Sequence, residues 1–288
     1  MFVTGFTFIR NAIKLDYPIV EALKSILPLC DEIIVAVGDS EDATRDLVQS
    51  IDPKIKIIDT QWDMSLREGG VVLAVETNKA FDAISERADW CVYIQGDECL
   101  HEQDINSIQS AMKKWKDDDL IDGLLFDYKH FYGSYDYIGD SRMWYRKEIR
   151  IVKNNKAIRS YKDAQGFRLD GRKLNVKVAN ASVYHYGWVR HPKYMMAKAV
   201  EANRYWHDDQ WIEERFDPDK DFDYSNIDSV ARFSGSHPEV MKERIANANW
   251  KFSKDPGDKQ MGLKKRFLYW IEKLTGYRIG ENKNYVIR

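Results

Sequence analysis

The chain has 288 residues, with 44 lysines and arginines against 46 aspartates and glutamates, a balance that excludes the basic footprint of a non-specific nucleic-acid binder. At 44% hydrophobic residues and only 7 prolines, the composition suits a folded chain with a sizeable core, not a disordered or low-complexity one. No run reaches the roughly 18 apolar residues a membrane-spanning helix needs; Cys30, Cys91 and Cys99 lack metal-type spacing, and no leader-like segment opens the chain, which together point to a reduced, cytoplasmic protein.

Residues 2–9 read as an apolar strand ending at Arg10-Asn11, and Ile19, Leu23 and Ile26 predict a helix from Asp16, its N-cap, to Pro28. A buried strand over 32–37 runs into the turn Gly38-Asp39-Ser40, a second helix covers 41–50, and a third strand covers 55–58. This alternation predicts an α/β fold with a doubly wound, mostly parallel sheet. From Leu66 to Glu86, Arg67, Val71, Ala74, Asn78 and Phe81 fall on one helical face, which predicts that Arg67 and Asn78 point inward. A buried strand over 90–94 breaks at Gln95-Gly96-Asp97-Glu98 and is followed by a helix over 104–115. Two aromatic-rich strand-like segments lie between 122 and 152, another strand lies near 175–185, and helices are expected to dominate beyond Pro192.

In an open parallel sheet, ligands bind where the loops converge beyond the carboxyl ends of the strands. Arg10-Asn11, Gly38–Ser40, the 59–67 segment and Gln95–Glu98 all fall on that edge. Asp97 and Glu98, placed directly after an apolar strand, need solvent, a hydrogen bond or a cation, and Mg²⁺ or Mn²⁺ bridging to a diphosphate would supply one. The alternative is a solvated turn in which Glu98 caps the next helix. His185, beside Gly187, Trp188 and Arg190, reads equally as a third metal ligand, a phosphate contact or a hydrogen-bonded structural residue. The aromatic run Tyr128, His130, Phe131, Tyr132, Tyr135 and Tyr137 suits a half-buried sheet, with two or three members free to stack on a sugar.

The order Arg10-Asn11, Asp31 to Thr44, Asn78-Lys79-Ala80 and Asp89 to Glu98 resembles glycosyltransferase family 2 and its GT-A fold across about residues 1–100, with weaker similarity through His185 to Arg190. The resemblance implies inverting transfer of a sugar from a nucleotide-sugar donor, here a UDP-sugar, to an acceptor hydroxyl, with the help of Mn²⁺ or Mg²⁺. It places Asp97 at the last acid of the family's Asp-x-Asp metal motif and Gln95 where the first acid would stand. It sets Asp39 near the donor base, in place of an acid that would fall at Val37 or Gly38, and Arg67 near the nucleotide, with Arg10, Asn11 and Asn78 completing the donor contacts. Asp163 is the candidate base, with Asp127 and Glu148 in reserve, and Arg190 or His185 can assist the leaving group.

The resemblance divides the chain into a GT-A domain over 1–190, comprising a nucleotide-sugar half (1–100) and an acceptor half (120–190), and a helical C-terminal extension over 191–288. Leu263, Phe267, Trp270, Ile271 and Leu274 form an apolar stripe, and residues 264–288 carry seven basic and two acidic residues. The stripe is no wider than a docking helix needs, so packing on the domain is expected; the alternative is peripheral contact with the cytoplasmic face of a membrane that carries a lipid-linked or surface-glycan acceptor. Nucleotidyl transfer and dinucleotide binding lack their glycine-rich loops after the first strand. A non-catalytic nucleotide- or glycan-binding relative is the remaining alternative.

Overall fold

Alternating side chains along the first strands place one apolar set on each face of a sheet. In β1 (Val3–Ile9), β2 (Glu32–Gly38), β3 (Ile55–Thr60) and β4 (Trp90–Tyr93), Val3, Ile33, Val35, Trp90 and Val92 share one core cluster, while Phe6, Ile34, Cys91 and Tyr93 share another. Helices α1 (Ile19–Ile26), α2 (Thr44–Gln49) and α4 (Ile105–Trp115) feed Leu23, Val48, Ile108 and Met112 into the first cluster, and α3 (Val71–Asp82) feeds Ala80 and Phe81 into the second. The expected doubly wound α/β architecture follows from this two-sided burial. The computed structural model describes all 288 residues.

β1 to β4 are mutually parallel in the order β3-β2-β1-β4. Beyond the short β5 (Glu98–Leu100), the chain forms β6 (Gly123–Tyr132), β7 (Ser134–Gly139), β8 (Lys147–Lys153), the hairpin β9 (Ile158–Tyr161) and β10 (Gly166–Leu169), and the long β11 (Arg172–Trp188). β8 enters antiparallel between β4 and β6, and β11 joins parallel to β6. β5 pairs antiparallel with β11 and sets His185 opposite Glu98. Non-local pairing thus carries the 185–190 segment to the end of β4.

Three expectations change. The third helix begins at Val71, not Leu66, because Gly69 and Gly70 adopt φ of 60° and 69°, a left-handed conformation that cannot propagate a right-handed helix. Arg67 therefore lies on a loop, and the buried face of α3 runs through Val72, Glu76 and Ala80, with Val71 exposed. Nor do helices dominate beyond Pro192. Only α5 (Pro192–Asn203) and α8 (Leu263–Thr275) are long; α6 (Asp209–Glu213) and α7 (Lys242–Ala246) are single turns, and β12 (Val230–Arg232) and β13 (Tyr285–Ile287) pair with β7 and β11. Polar loops hold this segment to the sheet, as when Trp250 Nε1 donates to the Gly133 carbonyl at 2.7 Å and Arg244 pairs with Asp16 at 2.7 Å. That ion pair also occupies Asp16, which does not cap α1: the N-cap is Pro18, and Asp16 has a φ of 50°.

Candidate active site

The carboxyl ends of β1 and β4 open into a cavity of about 210 Å³. Gly96 and Asp97 line it beside Gln95 and Arg10, Asp163 enters from the β9–β10 hairpin, and α5 and the turn after it contribute Lys198, Tyr205 and Trp206. Arg10 also donates from Nε to the Asp39 carbonyl at 3.2 Å, which joins the cavity to a more open pocket of about 500 Å³ between β2 and β3, lined by Asp39, Ser40, Asp42 and Asp59. A cavity with two carboxylates therefore continues into a polar groove along the sheet edge, where an open α/β sheet binds ligands.

Asp97 is buried, accepts a hydrogen bond from Lys198 Nζ at 2.8 Å and lies 3.8 Å from His185 Nε2. Burial alone would raise its carboxyl value, but the charges of Lys198 and Arg190, with the hydrogen bond from Lys198, outweigh that penalty and hold it well below the ordinary range. Asp163 forms no ion pair in the protein and is only half-buried. It sits between Lys162 and Ala164, whose φ values of 54° and 59° are unusual for residues with side chains, the kind of local strain that concentrates at functional sites. Gly70 permits this placement: a Cβ there would come within 2.9 Å of the Asp163 Cβ. Gln95 Nε2 donates to the Ala164 carbonyl at 3.3 Å and ties the hairpin tip to the end of β4.

The three predicted metal ligands do not converge. Glu98 is fully buried and faces away from the cavity, where its carboxylate takes two 2.8 Å bonds from Arg150 and a third from the Tyr128 hydroxyl, also at 2.8 Å. It folds inward because a buried carboxylate beside a buried guanidinium satisfies both charges, so it is not presented to the cavity, and His101, not Glu98, caps the next helical turn. His130 lies 2.9 Å from the Tyr145 carbonyl through Nε2 and 3.1 Å from His185 through Nδ1. If His130 Nε2 donates to that carbonyl, the His185 Nδ1 proton faces His130 and the His185 Nε2 lone pair is left toward Asp97. Burial holds both imidazoles below their ordinary value. Asp97 and His185 thus approach each other, but no cluster of three His, Cys, Asp or Glu side chains with metal-site geometry exists in the chain.

Several other predicted contacts serve elsewhere. The Asn11 side chain accepts from the Glu41 amide at 2.7 Å and Asn78 accepts from the Ser160 amide at 2.8 Å, so both stitch elements together and neither lines the cavity. Arg67 pairs with Asp209 at 2.8 Å on an outer hollow that it shares with Arg10. Arg190 is fully buried one layer behind the cavity, its guanidinium 4.7 Å from the Tyr17 ring, and none of its three nitrogens finds a hydrogen-bond partner; it acts on the cavity through its charge and not by contact. The aromatic run of β6 and β7 packs into buried clusters, with Phe131 stacked on Tyr186 at 4.8 Å, and contributes nothing to the cavity.

Lys198, Tyr205 and Trp206 escape a reading that ends the site at Arg190. Their signal lies in the spacing Met195, Lys198, Ala199, Ala202, which puts a lysine on the apolar face of α5. The apolar stripe of α8 is not docked either: Phe267, Trp270 and Leu274 are 61%, 57% and 65% exposed, while the opposite face is held by Tyr269 to Asp140 and by Glu272 to Arg142 and Arg278. No helix of the chain is long and apolar enough to cross a membrane.

No family model and no curated protein matches the chain. Among solved structures, Staphylococcus aureus TarS is 14% identical over 70% of this chain and 39% of its own, at a TM-score of 0.41. Its 1–349 fragment with UDP-GlcNAc gives 14% identity, 70% and 65% coverage and a TM-score of 0.42. Glucosyl-3-phosphoglycerate synthase from Mycobacterium tuberculosis, with Mn²⁺, UDP and phosphoglyceric acid, gives 17% identity, 46% and 43% coverage and a TM-score of 0.30. The chain thus spans less than two thirds of the length of each of these proteins, and likenesses this distant carry no weight for activity.

Proposed function

We propose that the protein is a glycosyltransferase of GT-A type that moves a sugar from a UDP-sugar to an acceptor hydroxyl with inversion. The observation that carries this reading is the pairing of two unlike carboxylates across one cavity: Asp97, held ionised by cations, and Asp163, unpaired on a strained hairpin tip. The groove past Arg10 accommodates the nucleoside, with Asp39 toward the base, and the cavity accommodates the diphosphate and the sugar. In a single displacement the acceptor oxygen bonds to the anomeric carbon, the bond from that carbon to the diphosphate oxygen breaks with its electron pair leaving on the diphosphate, and the hydroxyl proton passes to Asp163. Attack opposite the leaving group inverts the centre. Tyr17, Trp62, Tyr205 and Trp206 wall the cavity and exclude water from the sugar.

Measuring nucleotide release from a panel of UDP-, GDP-, CMP- and dTDP-sugars tests this directly. Asp163→Asn should lower turnover at least about a hundredfold, the scale of a general base, while UDP affinity stays within about twofold. Binding without turnover by the unmodified protein would instead support the non-catalytic alternative.

The acceptor belongs to a surface glycan or a lipid-linked precursor at the cytoplasmic face of the membrane, a reading supported by α8. Its outward stripe of Leu263, Phe267, Trp270 and Leu274 is flanked by Lys264, Arg266 and Lys273, the pattern of a helix lying in an anionic headgroup layer.

A further inference from the structure

We propose that Lys198 is the cation that receives the donor diphosphate, standing on Asp97 where a divalent metal would otherwise be expected; this rests on the donor-site reading above. Lys198 lines the cavity, and its ammonium group donates to Asp97 Oδ2 and to the Gly187 carbonyl, both at 2.8 Å. An ammonium has three donors, so one remains for a phosphate oxygen. A Cβ on Gly187 would lie 2.5 Å from His185 Nε2 and 2.9 Å from Asp97 Oδ2, so glycine is what lets these two side chains sit over the end of β11, and Lys198 is tied to the carbonyl of that same residue.

Charge points the same way. Asp97 faces Lys198 at 2.8 Å, and behind them Arg190 is fully buried with no hydrogen-bond partner on any guanidinium nitrogen. Around Asp97 itself the chain therefore keeps two basic side chains, Lys198 and Arg190, against one carboxylate, while Asp163 adds a second carboxylate across the cavity. A divalent ion beside Asp97 would meet those two basic groups, whereas a phosphate oxygen there is attracted by them. With Gln95 unable to supply an anionic ligand and Glu98 committed to Arg150, Asp97 positions the lysine. Lys198 makes the contact, and Arg190 supports it through its field.

The test is calorimetric titration of the full chain with UDP and with uridine, in EDTA and in Mn²⁺, accompanied by GDP, CDP and dTDP. We expect UDP affinity to agree within about twofold between EDTA and Mn²⁺. Lys198→Met should weaken UDP about tenfold or more, as loss of a charge-assisted phosphate contact does, and leave uridine unchanged, while Lys198→Arg should bind UDP within a few-fold of the unmodified chain. If Lys198→Met fails to fold because Asp97 is left unpaired, the neutral pair Asp97→Asn with Lys198→Met serves in its place. UDP affinity that falls tenfold in EDTA and returns with Mn²⁺, or a charge-removed variant that binds UDP normally, overturns the proposal and leaves the donor-site reading intact. Failure of all four diphosphates to bind the folded chain overturns both.

Discussion

Glu148 shows how strongly position can change a single carboxyl. Burial beneath Gly166 raises its value to about 7, against the opposing pull of Arg150 and a hydrogen bond from the Ile149 amide. Its charged form is disfavoured by folding, so the native chain binds more protons than the unfolded one between the ordinary carboxyl range and about 7. The stabilising contribution is complete below the ordinary range and is lost as pH rises through the folded value. His130 and His185, held below their ordinary value, act with the opposite sign over part of this range, so Glu148 is read by difference: the melting temperature of Glu148→Gln relative to the unmodified chain should rise from about pH 5 to about pH 8. An identical slope in the variant would assign the effect to other groups.

At the scale of elements, α8 inverts the usual logic of an amphipathic helix. Its polar residues do the docking, through the Tyr269 and Glu272 contacts, and its apolar stripe faces outward. Replacing Phe267 and Trp270 together with serine should leave the melting temperature within about 2 °C, since exposed side chains contribute little to stability, yet abolish co-sedimentation with phosphatidylglycerol-rich vesicles. A fall of ten degrees would mean that the stripe is a folding surface after all. The β9–β10 hairpin is the complementary case: a short element that accepts left-handed φ at Lys162 and Ala164 in order to present Asp163.

Over the whole molecule, the buried pair of Glu98 and Arg150 ties the segment that leaves β4 to the second half of the sheet, because Glu98 opens β5 beside β11 while Arg150 lies on β8 between β4 and β6. Glu98→Ala should cost about 3–5 kcal/mol in urea denaturation, the usual price of leaving a buried charge unpaired. A Glu98→Leu, Arg150→Met double variant should recover much of that loss. A stable Glu98→Ala protein that had lost only metal or donor binding would return Glu98 to the site. Residues 191–288 likewise contribute to the whole: they supply Lys198, Tyr205 and Trp206 to the cavity and anchor Arg244 on Asp16 and Glu21 of the first half.

By itself the sequence determined the architecture of the first hundred residues, because strand alternation, turn residues and apolar runs are local signals that tertiary packing had only to confirm. It also placed Asp97, Gln95, Arg10 and Asp39 at the carboxyl edge of the parallel strands, since parallel topology brings strand ends together whatever the loops contain. Direction and partnership were not legible. Glu98 follows Asp97 directly, yet one faces Lys198 in the cavity and the other faces Arg150 in the core, and only long-range pairing with β8 and β11 decides which is which. The roles of Lys198, on a helix a hundred residues from Asp97, and of Arg190, buried without a partner, were decided by tertiary structure for the same reason: electrostatics depends on distance in space, and the chain records only distance along itself.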